Sequence, residues 1–399
     1  MRKNLIWAGS LRGVVRGLTI VKTLILARIL TPAQFGIFGI ATLILGILET
    51  VSETGVNVIL IQEKKTINHY VNTAWVVSIL RGILISLIII LLSPLIVIFF
   101  DSPKSLDSLF LTSLIPLIRG FINPSVVSYQ KNLEFNKEFK FRTILISFEV
   151  IATVIFGLIL RNEIALVLGM ICSAIVEVVL SFKLLRPLPK FEFNVNKLKK
   201  VISLGKWITG AKIFDYLFSH GDDIVVGKLL GTFSLGIYQQ AYKISTLPIT
   251  EIAETFQKVT FPLYSKMVAE NKSIKKIYLK TFLTTLLIVI PFSLILFLIP
   301  EQIVLILLGK NWLSAVPVLQ VLAIFAIVKT IANGTFPVLL SYKRQDLVML
   351  LTLIGIIGLG ISIYPLINLY SLVGAGLATI IGSIIMIPPA FYWTRKLLR

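Results

Sequence analysis

The chain has 399 residues, of which 56% are hydrophobic and only 15% charged, against roughly 25% charged in soluble domains. That balance excludes a soluble globular enzyme and predicts an all-α polytopic membrane protein, since each span needs about 20 mostly apolar residues whose backbone groups are satisfied within the helix. A formal net charge of +20 raises nucleic acid as a partner, but its placement along the chain argues for anionic lipid headgroups instead.

In chain order the apolar runs predict twelve spans, at roughly 5–28, 37–61, 71–99, 107–129, 143–161, 163–183, 202–227, 234–259, 279–299, 312–340, 347–367 and 372–394. The opening MRKNLIWAGSLRG lacks a clean apolar core and a small-residue cleavage site, so it reads as the start of the first helix rather than a removable signal. Leu26 to Gly55, LARILTPAQFGIFGIATLILGILETVSETG, joins the first two spans across a charge-poor turn. Two hundred positions later the chain reads VGKLLGTFSLGIY, pairing Leu30 with Leu230, Gly36 with Gly236, Ile37 with Ile237 and Trp7 with Trp207. A second echo, Pro124 to Lys131 against Pro337 to Arg344, follows at an offset of 213. Together they predict an internal repeat of two six-helix lobes, parallel because each holds an even number of spans. The expected division is 1–183 for the first lobe, a basic, proline-bearing linker at 184–200 and 201–399 for the second.

With twelve spans, alternate connections share a side, and the lysines and arginines in the connections and toward the span ends sort twenty-five against five. By the positive-inside rule both termini and the 184–200 linker face the cytoplasm. Cys172 is the single cysteine and excludes an intrachain disulfide. No GxxxxGK[ST] run is present to hold phosphate in the Walker manner. No cofactor, metal site or catalytic residue is expected.

The run ARILTPAQFGIFG, the helix ending ETVSETG, the following Ile61-Gln62 and the segment Tyr129-Gln-Lys-Asn-Leu-Glu-Phe-Asn-Lys137 together resemble the polysaccharide-unit flippases of the Wzx type. These belong to the superfamily that also holds the multidrug and toxin extruders and the lipid II flippases. The resemblance implies a twelve-helix, two-lobed transporter of the cell membrane that turns a polyprenyl-pyrophosphate-linked oligosaccharide from the cytoplasmic to the outer leaflet by alternating access. It implies a polysaccharide polymerase and glycosyltransferases as working partners. Many relatives are longer at the C-terminus.

Charges within the predicted spans carry the expected chemistry, because each costs about 2.5–3.5 kcal/mol on insertion scales unless it meets a cavity or a partner. Arg12 and Arg16 share one face of the first helix, Lys22 follows them, Arg81 lies near the start of the third helix and Arg119 within the fourth. Arginine offers phosphate a bidentate fork, so these five are the candidate diphosphate ligands, with Arg16 and Arg119 expected to line a basic, water-accessible chamber. Interface snorkelling, or pairing with Glu49 and Glu53, is the competing reading for Arg12 and Arg81. In the seventh helix Lys212 and Asp215 are spaced to pair. His220 and Asp222, next to Asp223, form a titratable cluster. With Asp215 and the isolated Glu149 and Glu177, His220 and Asp222 are the candidates for binding a coupling proton or sodium ion. A multidrug extruder is the competing transporter, and a membrane-embedded polysaccharide polymerase or ligase the competing enzyme. The short outer loops argue against the enzyme, and an excess of interior cations argues against cationic drugs.

Overall fold

A computed structural model of the chain describes residues 2–53, 70–192, 195–248 and 254–398, without the side chains of 2–6, 8, 195–211, 215, 248 and 254–259. Every regular element among the described residues is a helix. The chain forms two compact units, Met1–Ile213 and Phe214–Arg399.

In the first unit α1 (Arg2–Ile29) and α2 (Pro32–Val51) are followed by α3 (Val71–Phe100), α4 (Ser105–Gly120), α5 (Phe135–Leu160) and α6 (Ile164–Leu184). The turn between α1 and α2 has a local cause. Thr31 caps α2 as half of a capping box, its hydroxyl accepting from the Gln34 backbone N–H while its own N–H donates to Gln34 Oε1 at 2.8 Å. Pro32 at the first helical position needs no hydrogen-bond partner for its nitrogen. The Gln34 amide also donates to the carbonyl of Arg161 at 3.0 Å, tying this turn to the left-handed residue (φ 50°) that closes α5. Helix α1 packs on α5, α3 on α4, and α6 on both α4 and α5. Leu45, Ile85, Ile89, Ile115, Val167 and Ile171 fill the core between α2, α3, α4 and α6.

The second unit takes the rest of α7 (Val195–Pro248), then α8 (Glu254–Ala269), α9 (Lys275–Leu298), α10 (Pro300–Leu307), α11 (Val316–Asn333), α12 (Phe336–Ser341) and α13 (Gln345–Leu397). Helix α11 packs against both α9 and α13, and α12 against α8 and α13. Ala332, Leu339, Leu347, Leu351, Met386 and Ala390 form one of its cores. Outward faces are apolar in both units: Leu91 and Leu287 are 74% exposed and Ile98 and Ile361 73%. A surface of that kind suits hydrocarbon, which exacts no penalty for it.

The predicted spans and the helices differ at informative places. The span expected at 107–129 breaks after Gly120 and bends by 73° into a 3-10 turn at Pro124–Val127 and a helical turn at Ser128–Lys131. Pro124 has no N–H to continue the ladder, and Asn123 Oδ1 caps the new turn by accepting from the Ser125 N–H at 2.9 Å. Spans expected at 202–227 and 234–259 run on as α7, broken only at Gly231 (φ 77°), a left-handed backbone that glycine alone adopts without strain. Residues 249–253 of the second lie outside the described residues, as do Ile61 and Gln62. The last two spans join as α13, interrupted at Ser371 (φ 52°). Helix α10 was not foreseen. Seven described helices are long and apolar enough to cross a membrane, eight with the bent pair, counting α13 once.

The echoes seen in sequence extend to local geometry. Thr31, between α1 and α2, corresponds to Gly231 at the break in α7, and Leu26, Ile37, Val226 and Ile237 around them are all buried.

The linker is not a free strap where it is described. Asn123 Nδ2 and Ser125 Oγ donate to the Pro187 carbonyl at 3.2 and 2.8 Å, and the Lys190 N–H donates to Asn72 Oδ1 at 2.9 Å. Phe191 lies against Trp75 with ring centroids 4.5 Å apart.

One close crossing shapes the first unit. A Cβ on Gly82 would stand 2.4 Å from the Pro116 carbonyl oxygen, and one on Gly120 3.0 Å from that of Ser78, so α3 and α4 meet backbone to backbone. Gly82→Ala is therefore expected to lower stability by about 1–3 kcal/mol through overpacking. Gly360→Ala, whose Cβ would meet open space, serves as the control in thermal melts of the detergent-purified protein. Equal melting temperatures for the two variants would refute the crossing.

Candidate functional site

The crossing of α3 and α4 sets the candidate site, because the residue before each of its glycines is an arginine. Arg81 and Arg119 line a cavity of about 280 Å³ in the first unit, together with Glu49, Gln130, Glu138, Arg142 and Glu177. Arg119 Nη1 lies 3.4 Å from Glu49 Oε1, with both side chains about a third exposed. Arg81 donates to the Glu49 carbonyl at 2.6 Å and to Ser52 Oγ at 3.0 Å. Two guanidinium groups thus share one glutamate, and Arg81 reaches only its backbone. Across the cavity Arg142 pairs with Glu177 at 3.0 Å, and Gln130 donates to Glu138 Oε1 at 2.7 Å. Whole, the wall carries three arginines and three glutamates, so the chamber is charge-balanced rather than basic as expected. Its positive region is local, at Arg81 and Arg119.

The other predicted ligands stand elsewhere. Arg12 and Arg16 are half-buried on α1 and do not line this cavity. Lys22, expected on the diphosphate, forms an ion pair with Glu149, expected to exchange protons; their side chains are 16% and 19% exposed. Glu149 and Glu177 are thus not isolated, each being held by a cation on another helix or farther along the wall. A charge buried at this depth costs several kcal/mol unless paired, which explains both pairings. Lys212 Nζ lies 2.6 Å from Glu53 Oε2. The Asp215 side chain lies outside the described residues.

The titratable cluster of the second unit is more extensive than its sequence suggests. Asp222, only 2% exposed, accepts from the Tyr238 hydroxyl at 2.7 Å and from the Asp223 backbone N–H at 3.0 Å. Asp223 Oδ2 lies 3.2 Å from His220 Nδ1. Tyr242, one turn after Tyr238, accepts from the Lys329 ammonium at 2.9 Å. That ammonium also stands over the Tyr242 and Phe325 rings, 5.4 and 5.3 Å from their centroids. Among the described residues, no three of His, Cys, Asp and Glu gather as a metal site.

Sequence reading missed Arg142, Tyr238 and Lys329. Arg142 falls one residue before a predicted span and was counted with the interface charges. Lys329, a cation in the middle of an apolar helix, meets the same criterion that singled out Arg119. Tyr238 carries no charge to mark it.

Comparison with known proteins places this geometry. A family model described as "Polysaccharide biosynthesis protein" matches residues 25–317. The chain is 24% identical over 343 residues to the lipopolysaccharide biosynthesis protein WzxC of Escherichia coli (strain K12), covering 86% of this chain and 70% of that protein. It is 27% identical over 305 residues to the teichuronic acid biosynthesis protein TuaB of Bacillus subtilis (strain 168), covering 75% and 62%. The succinoglycan biosynthesis transport protein ExoT of Rhizobium meliloti (strain 1021) is 23% identical over 81% of this chain and 65% of its own. Among solved structures, the lipid II flippase MurJ in its inward closed conformation superposes with a TM-score of 0.80 at 16% identity, over 98% of this chain and 87% of that one. An inward-facing multidrug resistance transporter of the MATE family gives 0.72 at 15% identity, over 98% and 94%. At such identities the structural likenesses establish the fold alone.

The buried pair Lys22–Glu149 gives a direct check. Glu149→Gln leaves the ammonium uncompensated and is expected to destabilise by about 3 kcal/mol, whereas Lys22→Met with Glu149→Leu recovers most of the loss. Thermal melts of wild type, both single variants and the double variant measure the coupling, and additive effects would show that the two charges do not interact.

Proposed function

The chain belongs to the polysaccharide biosynthesis protein family, and from that premise we propose that it is a transporter, not an enzyme, carrying a lipid-linked saccharide unit across a membrane for polysaccharide assembly. The observation that carries this reading is the pair Arg81 and Arg119, set side by side by the Gly82/Gly120 crossing and sharing the single Glu49. A phosphate or diphosphate linking lipid to sugar is a strong acceptor for such forks. Glu49 holds Arg119 through its carboxylate, which the substrate anion replaces, and Arg81 through its backbone carbonyl. Arg142, released from Glu177 in the same way, supplies a third fork across the cavity.

In this reading the substrate is a polyprenyl-phosphate- or pyrophosphate-linked oligosaccharide that enters from the cytoplasmic leaflet and leaves in the outer one. The protein works in the cell membrane with both termini and the linker cytoplasmic, between glycosyltransferases that build the unit and a polymerase that consumes it. Arg12 and Arg16, outside the cavity, serve the passage of the same anion along α1. Asp222 and His220 serve ion coupling in the second unit.

Arg119→Ala and Arg81→Ala are expected to reduce flipping at least tenfold, and Arg119→Lys, which keeps the charge and loses the fork, to reduce it less. Proteoliposomes loaded with lipid-linked oligosaccharide extracted from the source cell provide the assay. Wild-type rates in both alanine variants would remove the cavity from the transport path. Export of cationic dyes without saccharide flipping would assign the protein to drug extrusion instead.

Topology has its own test. A cysteine placed at Leu188 in a Cys172→Ser background is expected to react with a membrane-impermeant maleimide only after the cells are opened. Labelling of intact cells would invert the orientation.

A further inference from the structure

In the second unit a tethered ammonium is joined to a buried carboxylate through two tyrosines on one helix. Asp222 binds the Tyr238 hydroxyl at 2.7 Å, and Lys329 binds the Tyr242 hydroxyl at 2.9 Å. The two rings lie one turn apart on α7 with centroids 6.2 Å from each other. This places a negative group on the first half of α7 and a positive group on α11 at the two ends of one aromatic bridge, on the second half of α7 beyond the Gly231 break. Resting on the transport reading above, we propose that Asp222, Tyr238, Tyr242 and Lys329 form the coupling element of the transporter, and that it takes up a proton and excludes sodium because Lys329 stands in for the metal cation.

Three features support the choice of ion. A sodium site is built from oxygen lone pairs converging on the ion, with carboxylate and carbonyl groups at its centre. Around Asp222 both carboxylate oxygens instead face donors, the Tyr238 O–H on one and the Asp223 N–H on the other. A fixed ammonium in the same network repels a second cation in a medium that screens little. A proton adds no new ligand requirement: the carboxylate becomes a carboxylic acid, forming one O–H bond with a proton from solvent and releasing it on the other side of the cycle.

Charge balance then links protonation to shape. The groups facing Asp222 are Asp223 and His220 on its own helix, Tyr238 and Tyr242 on the second half of α7, and Lys329 on α11 beyond them. Helix α13 brings Leu359 beside Gly221 and Gly355 beside Phe218. Neutralising Asp222 leaves Lys329 with less opposing charge and weakens the hold between the first half of α7, its second half and α11. Gly231, free to change its backbone angles, is the pivot at which those halves can separate.

The test uses the full chain in detergent and needs no substrate. Melting temperature is followed across a pH series, in sodium chloride and in choline chloride at equal ionic strength. Wild type is expected to respond to pH and to ignore sodium. Asp222→Asn should lose a measurable part of the pH response. Lys329→Met, with the ammonium gone, should gain a sodium-dependent rise of about 5 °C or more, and Lys329→Arg should behave as wild type. Sodium stabilisation of the wild type, or a Lys329→Met variant that stays blind to sodium, overturns the proposal. Should Lys329→Met fail to fold, Tyr242→Phe decides, since a pH response equal to that of wild type would show that the bridge is not used. None of these readings depends on flipping, so a negative result here leaves the substrate cavity standing, and a failure of flipping there leaves the proton site standing.

Discussion

A hydrocarbon core offers a polar group no partner, and this chain is built around that constraint. Backbone groups meet it by forming helices. Helix breaks inside the apolar runs are therefore the expensive places, and three of them have a visible compensation. Thr31 and Gln34 cap the α1–α2 turn, the Asn123 side chain caps the turn that follows α4, and the position after Leu230 is a glycine able to take φ 77°. Side chains obey the same rule. Lys22 is held by Glu149, Arg142 by Glu177, and Asp222 by a tyrosine hydroxyl and a backbone N–H.

The same constraint separates structural charges from working ones. Lys22 and Glu149 satisfy each other in a buried pair and are poor candidates for binding anything else without losing that partner. Arg81 and Arg119 share between them one carboxylate, one backbone carbonyl and the Ser52 hydroxyl. Their surplus is affordable because a cavity adjoins them, where water or an anion completes their hydrogen bonds. Neighbouring glycines make this possible: the close approach of α3 and α4 costs Gly82 and Gly120 their side chains but brings two cations onto one wall.

How much of this could be read from the sequence depends on whether the cause is local. The positions of the spans follow from apolar runs and were legible, as was the recurrence around Leu30 and Leu230, because a helix in lipid must announce itself by composition. The break at Pro124 was hidden inside an apolar stretch, since proline is tolerated in spanning helices such as α3, which runs straight through Pro94. Pairings were not legible, because Arg119 meets Glu49 across 70 positions and Lys22 meets Glu149 across 127, distances over which only the packing decides. Lys212 likewise reaches Glu53 across 159 positions.

The internal echo sharpens the contrast between the two units. At the offset of 200 that aligns Leu30 with Leu230, Lys22 aligns with Asp222, so each half places an ionisable side chain there, part-buried in the first and buried in the second, before its helix breaks. In the first half that charge is cancelled by a rigid ion pair to α5. In the second it is met by one neutral hydroxyl and one backbone N–H, with an ammonium one tyrosine further away. An ion pair tolerates no change of protonation without a large loss, while a hydrogen-bonded carboxylate can accept a proton and keep its partners. If the halves share an origin, equivalent positions have diverged into a structural clamp in one and a titratable site in the other.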